Sequence, residues 1–207
     1  MWINTSVKQL TMLFITAITL VSCAISIPIP TTSHGKDFNR VTEAQVLYGV
    51  TTKQEILELM GKPNMTTGES TSRPNITYLF FNRKAKALSP DHVASRLQNF
   101  YFDKSGKLTG MEYLSSFPDD STYFEIDKAQ KIKPGDTKSR VIEIMGHPSG
   151  EHPSPAPEGG FSYVMAYRYP VIRYVDMTYV HETYNVFVAF NKDYHVAKVE
   201  VMKPGDY

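Results

Sequence analysis

The chain has 207 residues, a formal net charge of +1 and a single cysteine. That length allows one or two domains, and the near-neutral charge leaves no electrostatic footprint for nucleic acid. One cysteine excludes an internal disulfide, so packing alone must hold the fold.

Residues 1–22 read as an export signal. Lys8 and the amino terminus make a positive start, and residues 10–21 are an uncharged apolar run. A crossing helix takes about twenty apolar residues, so this shorter run suits a signal core. It leads into Leu20-Val21-Ser22-Cys23, which resembles the lipobox of bacterial lipoproteins. The resemblance implies cleavage before Cys23, a diacylglycerol thioether on its sulfur and an acyl group on its new amine. At about 0.8 kcal/mol per buried methylene, three chains make a firm membrane anchor. A secretory cut after Ala24 and an uncleaved anchor are the alternatives. Ala24 after the cysteine favours the outer membrane in such lipoproteins. Residues 23–39, with Pro28, Pro30 and Gly35, form an extended tether.

The remaining chain uses one pattern twice, at residues 51–63 and 136–148. Thr51 or Thr52, and Asp136 or Thr137, can accept from the free amides of a first helical turn. Glu55 completes a capping box with Thr52, whereas Arg140 stands in its place in the second copy. Ile56, Leu59 and Met60 share one helix face, as do Val141, Ile144 and Met145. Gly61 and Gly146 can end the helices, and Pro63 and Pro148 forbid their continuation. Residues 99–108 and 186–196 each follow as strand, polar turn and strand.

The first unit, residues 40–115, opens on a short helix over 41–47 capped by Thr42. It turns at Gly49 into the capped helix and loops through 64–74. A strand at 75–83 follows, then a hairpin of 97–102 with 107–114 in which Gly106 supplies positive φ. Residues 116–121 are a linker, with Asp119 and Asp120 as a turn or cap. The second unit, residues 122–202, opens on a helix over 125–132, turns at Gly135 and loops through 149–160. Strands follow near 161–169, 172–180, 183–190 and 195–202, and residues 203–207 are a tail. The expected fold class is α+β: two tandem modules, each a short helix pair packed on one face of an antiparallel β-sheet of three to four strands.

Tyr163, Tyr167, Tyr169, Tyr174, Tyr179 and Tyr184 fall in or near strands of the second unit. Tyrosine is amphipathic and common at interfaces, so these six are the candidate partner surface. The alternative is that they line a core or a solvated face. His147 and His152 read as loop residues, with no cysteine or organised carboxylate set beside them. His181 and His195 read as surface residues. No nucleophile elbow, phosphate loop or zinc helix motif occurs. The expectation is therefore a non-enzyme without metal, cofactor or small-molecule substrate.

The order of elements over residues 46–113 resembles the BamE (SmpA/OmlA) family of small outer-membrane lipoproteins. It carries that family's capped helix ending in Met60-Gly61-Lys62-Pro63 and its hairpin at residues 102–108. The second unit resembles the same module more loosely. The tandem layout is also similar to the β-lactamase inhibitor proteins, whose disulfides this chain cannot form. The first resemblance implies a lipid-anchored protein on the periplasmic side of the outer membrane, binding or scaffolding a protein partner in envelope assembly. The second implies an inhibitor or sequestering protein that grips an enzyme with its open sheet faces.

Overall fold

A computed structural model describes residues 32–67, 74–153 and 161–205. The export segment, Cys23 and most of the tether lie outside the described residues.

The first half contributes β1 (Ser33–His34), α1 (Lys53–Met60), β2 (Met65–Thr66), β3 (Asn75–Asn82), β4 (Ala94–Phe102) and β5 (Leu108–Ser115). The second contributes α2 (Lys138–Met145), β6 (Gly150–Pro153), β7 (Tyr163–Val175), β8 (Thr178–Phe190) and β9 (Val196–Met202). Among the described residues no helix is long and apolar enough to cross a membrane.

Both α-helices start and stop where the pattern places them. Thr52 accepts from the Glu55 amide at 3.2 Å, and the Glu55 carboxylate accepts from the Thr52 amide at 2.7 Å, closing the capping box. Thr137 accepts from the Arg140 amide at 3.2 Å without a reciprocal partner. Gly61 and Gly146 end the helices at φ of +80° and +83° with extended ψ, a region that only glycine enters freely. Ile56 and Val141 are fully buried, but Leu59 is 51% exposed, so the first helix buries a narrower face than expected.

Several hydrogen bonds around these helices correspond between the two halves. The Gly49 amide donates to the Leu108 carbonyl, and the Gly135 amide to the Val196 carbonyl, both at 2.8 Å. The Tyr78 hydroxyl donates to the Gly61 carbonyl at 2.7 Å, and the Tyr167 hydroxyl to the Gly146 carbonyl at 3.0 Å. Each tyrosine fastens its strand to the end of the helix above it.

The expected fold class is nevertheless overturned: helices are few, and the strands form one open antiparallel sheet. Its order is β1-β3-β4-β5-β6-β7-β8-β9, with β2 also on β3. Among the described residues no pair of α-helices forms in either half. Residues 41–47 make only turns, because the fully buried Gln98 side chain takes both polar groups of the Val41 backbone, at 2.9 and 2.7 Å. The segment expected as a helix at 125–132 is a 3-10 helix, Ile126–Lys131. The sheets fuse because β6, expected as loop, lies between the halves. It pairs with β5 through Met111↔Glu151 and Glu112↔Gly150, and with β7 through Gly150↔Ala166 to Pro153↔Tyr163.

The second half also has three long strands where four were expected. β7 and β8 form one hairpin that turns at Asp176 and Met177, with φ of 48° and 60°. Pro170 lies within β7, opposite Thr183. Since β6 reaches only as far as Ala166, Pro170 occupies an edge position, where a missing N–H costs no ladder bond.

α1 covers one side of the first half, packing Ile56 with Ile76, Tyr78, Phe100 and Leu108. α2 does the same for the second, packing Val141 and Met145 with Tyr167, Val186, Val188 and Phe190. Each fully buried side chain of this size contributes about 1.5–3 kcal/mol. The sheet bends away from the helices. In a flat sheet β3 and β8 would lie roughly 24 Å apart, five strand spacings. Instead Phe81 of β3 and Tyr179 of β8 meet with ring centroids 4.5 Å apart.

Candidate functional site

Strand alternation turns every second residue toward the concave face, away from the helices. Polar residues form a row there across six strands. The Thr77 hydroxyl donates to Asn99 Oδ1 at 2.7 Å, and Asn99 Nδ2 donates to Glu112 Oε2 at 3.4 Å. Arg168 Nη1 donates to the same Glu112 oxygen, and its Nε donates to Asn185 Oδ1 at 2.8 Å. Tyr101 donates to Glu112 Oε2 at 3.0 Å, and His152 Nε2 lies 2.8 Å from Oε1.

Glycine makes room for this row. A Cβ on Gly150 would stand 2.6 Å from Glu112 Cγ and 2.5 Å from the Met111 carbonyl oxygen. A Cβ on Gly110 would stand 2.2 Å from His152 Nδ1. Arg168 therefore reaches past the bare backbone of β6 to meet Glu112 on β5.

The Glu112 side chain is 3% exposed. Burial pushes its carboxyl up, but Arg168 and His152 outweigh that and hold it well below the usual carboxylate range. Burial likewise opposes the Arg168 charge, and the Glu112 carboxylate beside it raises the guanidinium pKa. Both carboxylate oxygens are occupied by neighbours. Such a group is a poor general base or metal ligand and a good internal staple. It fastens β5 of one half to β7 of the other.

The row flanks two grooves, both touched by Arg168. One, of about 580 Å³, is lined by Tyr101, His152, Val164, Phe187, Lys198 and Glu200 among others. The other, of about 470 Å³, includes Leu79, Leu97, Leu114, Ile172 and Thr183.

The six tyrosines part company. Tyr163, Tyr167 and Tyr169 are 5%, 1% and 3% exposed and belong to the core of the second half. Tyr174 and Tyr179 sit together near the hairpin end with ring centroids 5.0 Å apart, and Arg83 lies 4.2 Å above the Tyr174 ring. Tyr184 is partly buried against the second core. His152 is a buried strand residue, not the loop residue expected, whereas His147, His181 and His195 are exposed. Asp120 accepts from Tyr113 at 2.6 Å, from Ser115 and from Arg96 at 2.9 Å, so it ties the linker to β4 and β5.

Glu112, Arg168, Asn99 and Asn185 were missed by reading the sequence. The available signal was a polar residue inside an apolar strand, as in Met111-Glu112-Tyr113. Among the described residues no three His, Cys, Asp or Glu side chains gather as a metal site would need.

Residues 121–200 match the family model of the outer membrane protein assembly factor BamE domain. The match runs from the linker to β9, within the second half of the chain. The sequence resemblance instead rested chiefly on residues 46–113, which lie outside the match. The family is one of outer-membrane assembly factors rather than of enzymes. No curated protein matches the chain.

Proposed function

We propose that this chain is a non-enzymatic, lipid-anchored protein that binds or scaffolds a protein partner in outer-membrane protein assembly. The observation that carries the reading is the BamE-domain match over residues 121–200. Leu20 to Cys23 supports a lipid anchor on Cys23 and an address on the periplasmic side of the outer membrane. The concave sheet face with its two grooves offers surface for a partner, and Tyr174, Tyr179 and Tyr184 are the candidate tyrosines left at least partly accessible.

We further infer that residues 40–115 and 122–202 arose by duplication of one BamE-like unit. The matching helix caps, glycine stops and tyrosine-to-glycine bonds of the two halves support this.

Intact-mass measurement and membrane fractionation of the wild type and Cys23→Ser test the address. The expected result is a triacylated chain in the outer-membrane fraction, lost in the variant. Crosslinking of the wild type in cells is then expected to capture a membrane β-barrel or its assembly complex. A soluble, unacylated chain beginning near Ile25, with no envelope crosslink, would overturn the reading.

A further inference from the structure

A separate pocket of about 480 Å³ lies where the β3–β4 connection meets residues 123–126 and the β7–β8 hairpin. Leu88, Pro90, Tyr123, Phe124 and Tyr184 supply apolar and aromatic walls. Two further lining residues carry buried polar atoms with no hydrogen-bond partner: the Tyr169 hydroxyl and Nδ1 of His92. Tyr169 is 3% exposed, and its ring centroid lies 6.3 Å from that of His92. Buried polar atoms are nearly always paired in native proteins, so two orphans in one pocket mark a place for a missing partner. The only other such side-chain atom among the described residues, the Tyr163 hydroxyl, lies elsewhere and feels the Glu151 carboxylate.

The orphans define the ligand's head. Tyr169 has a hydroxyl hydrogen to donate. Burial favours the neutral His92 ring, and the Asp91 carboxylate 3.8 Å from its Nε2 favours the tautomer protonated there. Nδ1 is then an acceptor. A ligand hydroxyl satisfies both, accepting from Tyr169 and donating to His92. The walls define the body. Tyr123 stands edge-on to Tyr169 with centroids 5.4 Å apart, a geometry that extends to a further aromatic ring. The rim defines the source. Leu88 and Tyr123 are 44% and 59% exposed, apolar surface that a polypeptide around the ring would cover and a free phenol would not.

We propose that this pocket binds a tyrosine side chain presented by a protein partner. That the occupant comes from a protein rests on the partner-binding reading above; the phenol chemistry rests on the pocket alone.

The test is an NMR titration of the purified chain with N-acetyl-tyrosinamide, N-acetyl-phenylalaninamide, p-cresol and a capped pentapeptide with central tyrosine. The tyrosine amide is expected to give saturable shifts at residues 88–92, 123–126 and 169. Binding by the phenylalanine amide is expected to be at least about fivefold weaker, a gap that Tyr169→Phe narrows, since His92 Nδ1 still accepts from the ligand hydroxyl, while thermal unfolding shows that variant folded. The pentapeptide is expected to bind more tightly than p-cresol. No saturable shift, equal binding of the two amides, or a gap that Tyr169→Phe leaves unchanged would overturn the site. p-Cresol binding as tightly as the peptide would overturn the protein occupant. None of these readouts depends on where Cys23 takes the chain, so failure here and failure of the envelope reading are separable.

Discussion

Glu112 carries its charge in the middle of an apolar strand, and Arg168 on another strand makes that tolerable. Removing one partner of a buried pair strands the other. Arg168→Met is expected to lower stability by about 3–5 kcal/mol in denaturant unfolding. The pair also sets a pH dependence. The folded Glu112 pKa is depressed, so its stabilisation is fully present above the unfolded carboxyl value of about 4.3. It is lost as pH falls from there toward the folded value. Urea midpoints measured between about pH 6 and pH 3 are expected to fall more steeply in the wild type than in Glu112→Gln, which has no carboxylate to protonate. Tyr169 is the opposite case, a buried hydroxyl with no partner in the free chain. Tyr169→Phe is expected to leave stability unchanged or raise it by about 1 kcal/mol, since an unsatisfied buried group costs about 1–3 kcal/mol. A lowered melting temperature would contradict the orphan assignment.

At the scale of elements, the helix pattern was readable because its signals are local: a cap, an apolar face, a glycine and a proline within thirteen residues. The β7–β8 turn was not readable. Two-residue hairpin turns with positive φ favour Asn-Gly, and Asp176-Met177 carries no such signal. Met177 is 69% exposed, so its side chain contributes little packing. Met177→Gly is expected to raise stability by about 1 kcal/mol by removing the left-handed penalty, read as a higher melting temperature. β6 was also missed, being four residues long, with a glycine, a glutamate, a histidine and a proline and no alternation to mark it. Its glycine is nonetheless a point where the seam leaves no room for a side chain against backbone. Gly150→Ala is expected to destabilise the chain by about 3 kcal/mol or more, because the new methyl meets backbone on β5 as well as Glu112.

On the scale of the molecule, local reading had no access to the pairing of β5 with β6, which joins residues about forty positions apart. Two modules, each with its own sheet, were therefore a fair expectation from the repeated pattern, and a single sheet is the outcome. Of the helix faces read from the sequence, Ile56, Val141 and Met145 are buried, whereas Leu59 is exposed. The polar row was not legible, since Glu112 makes sense only once β6 and β7 are beside it. One sheet with a shared buried pair predicts one cooperative transition. Far-ultraviolet and tyrosine near-ultraviolet dichroism are expected to give coincident denaturation curves. A chain restricted to residues 121–205 would leave Arg168 without its carboxylate. It is expected to be markedly less stable than the whole, whereas independent modules would each keep their own stability.

The β5–β6 joint also imposes an order of events on the growing chain. Synthesis delivers residues from the amino terminus, and the far edge of β5 is completed only when Gly150 and Glu151 arrive. Until then Met111, Glu112 and Tyr113 form a bare strand edge with a buried charge awaiting its counterion. An intermediate halted near residue 120 presents that edge to any neighbour and is prone to aggregate. One halted beyond residue 190 has the strand that closes it and the arginine that neutralises it.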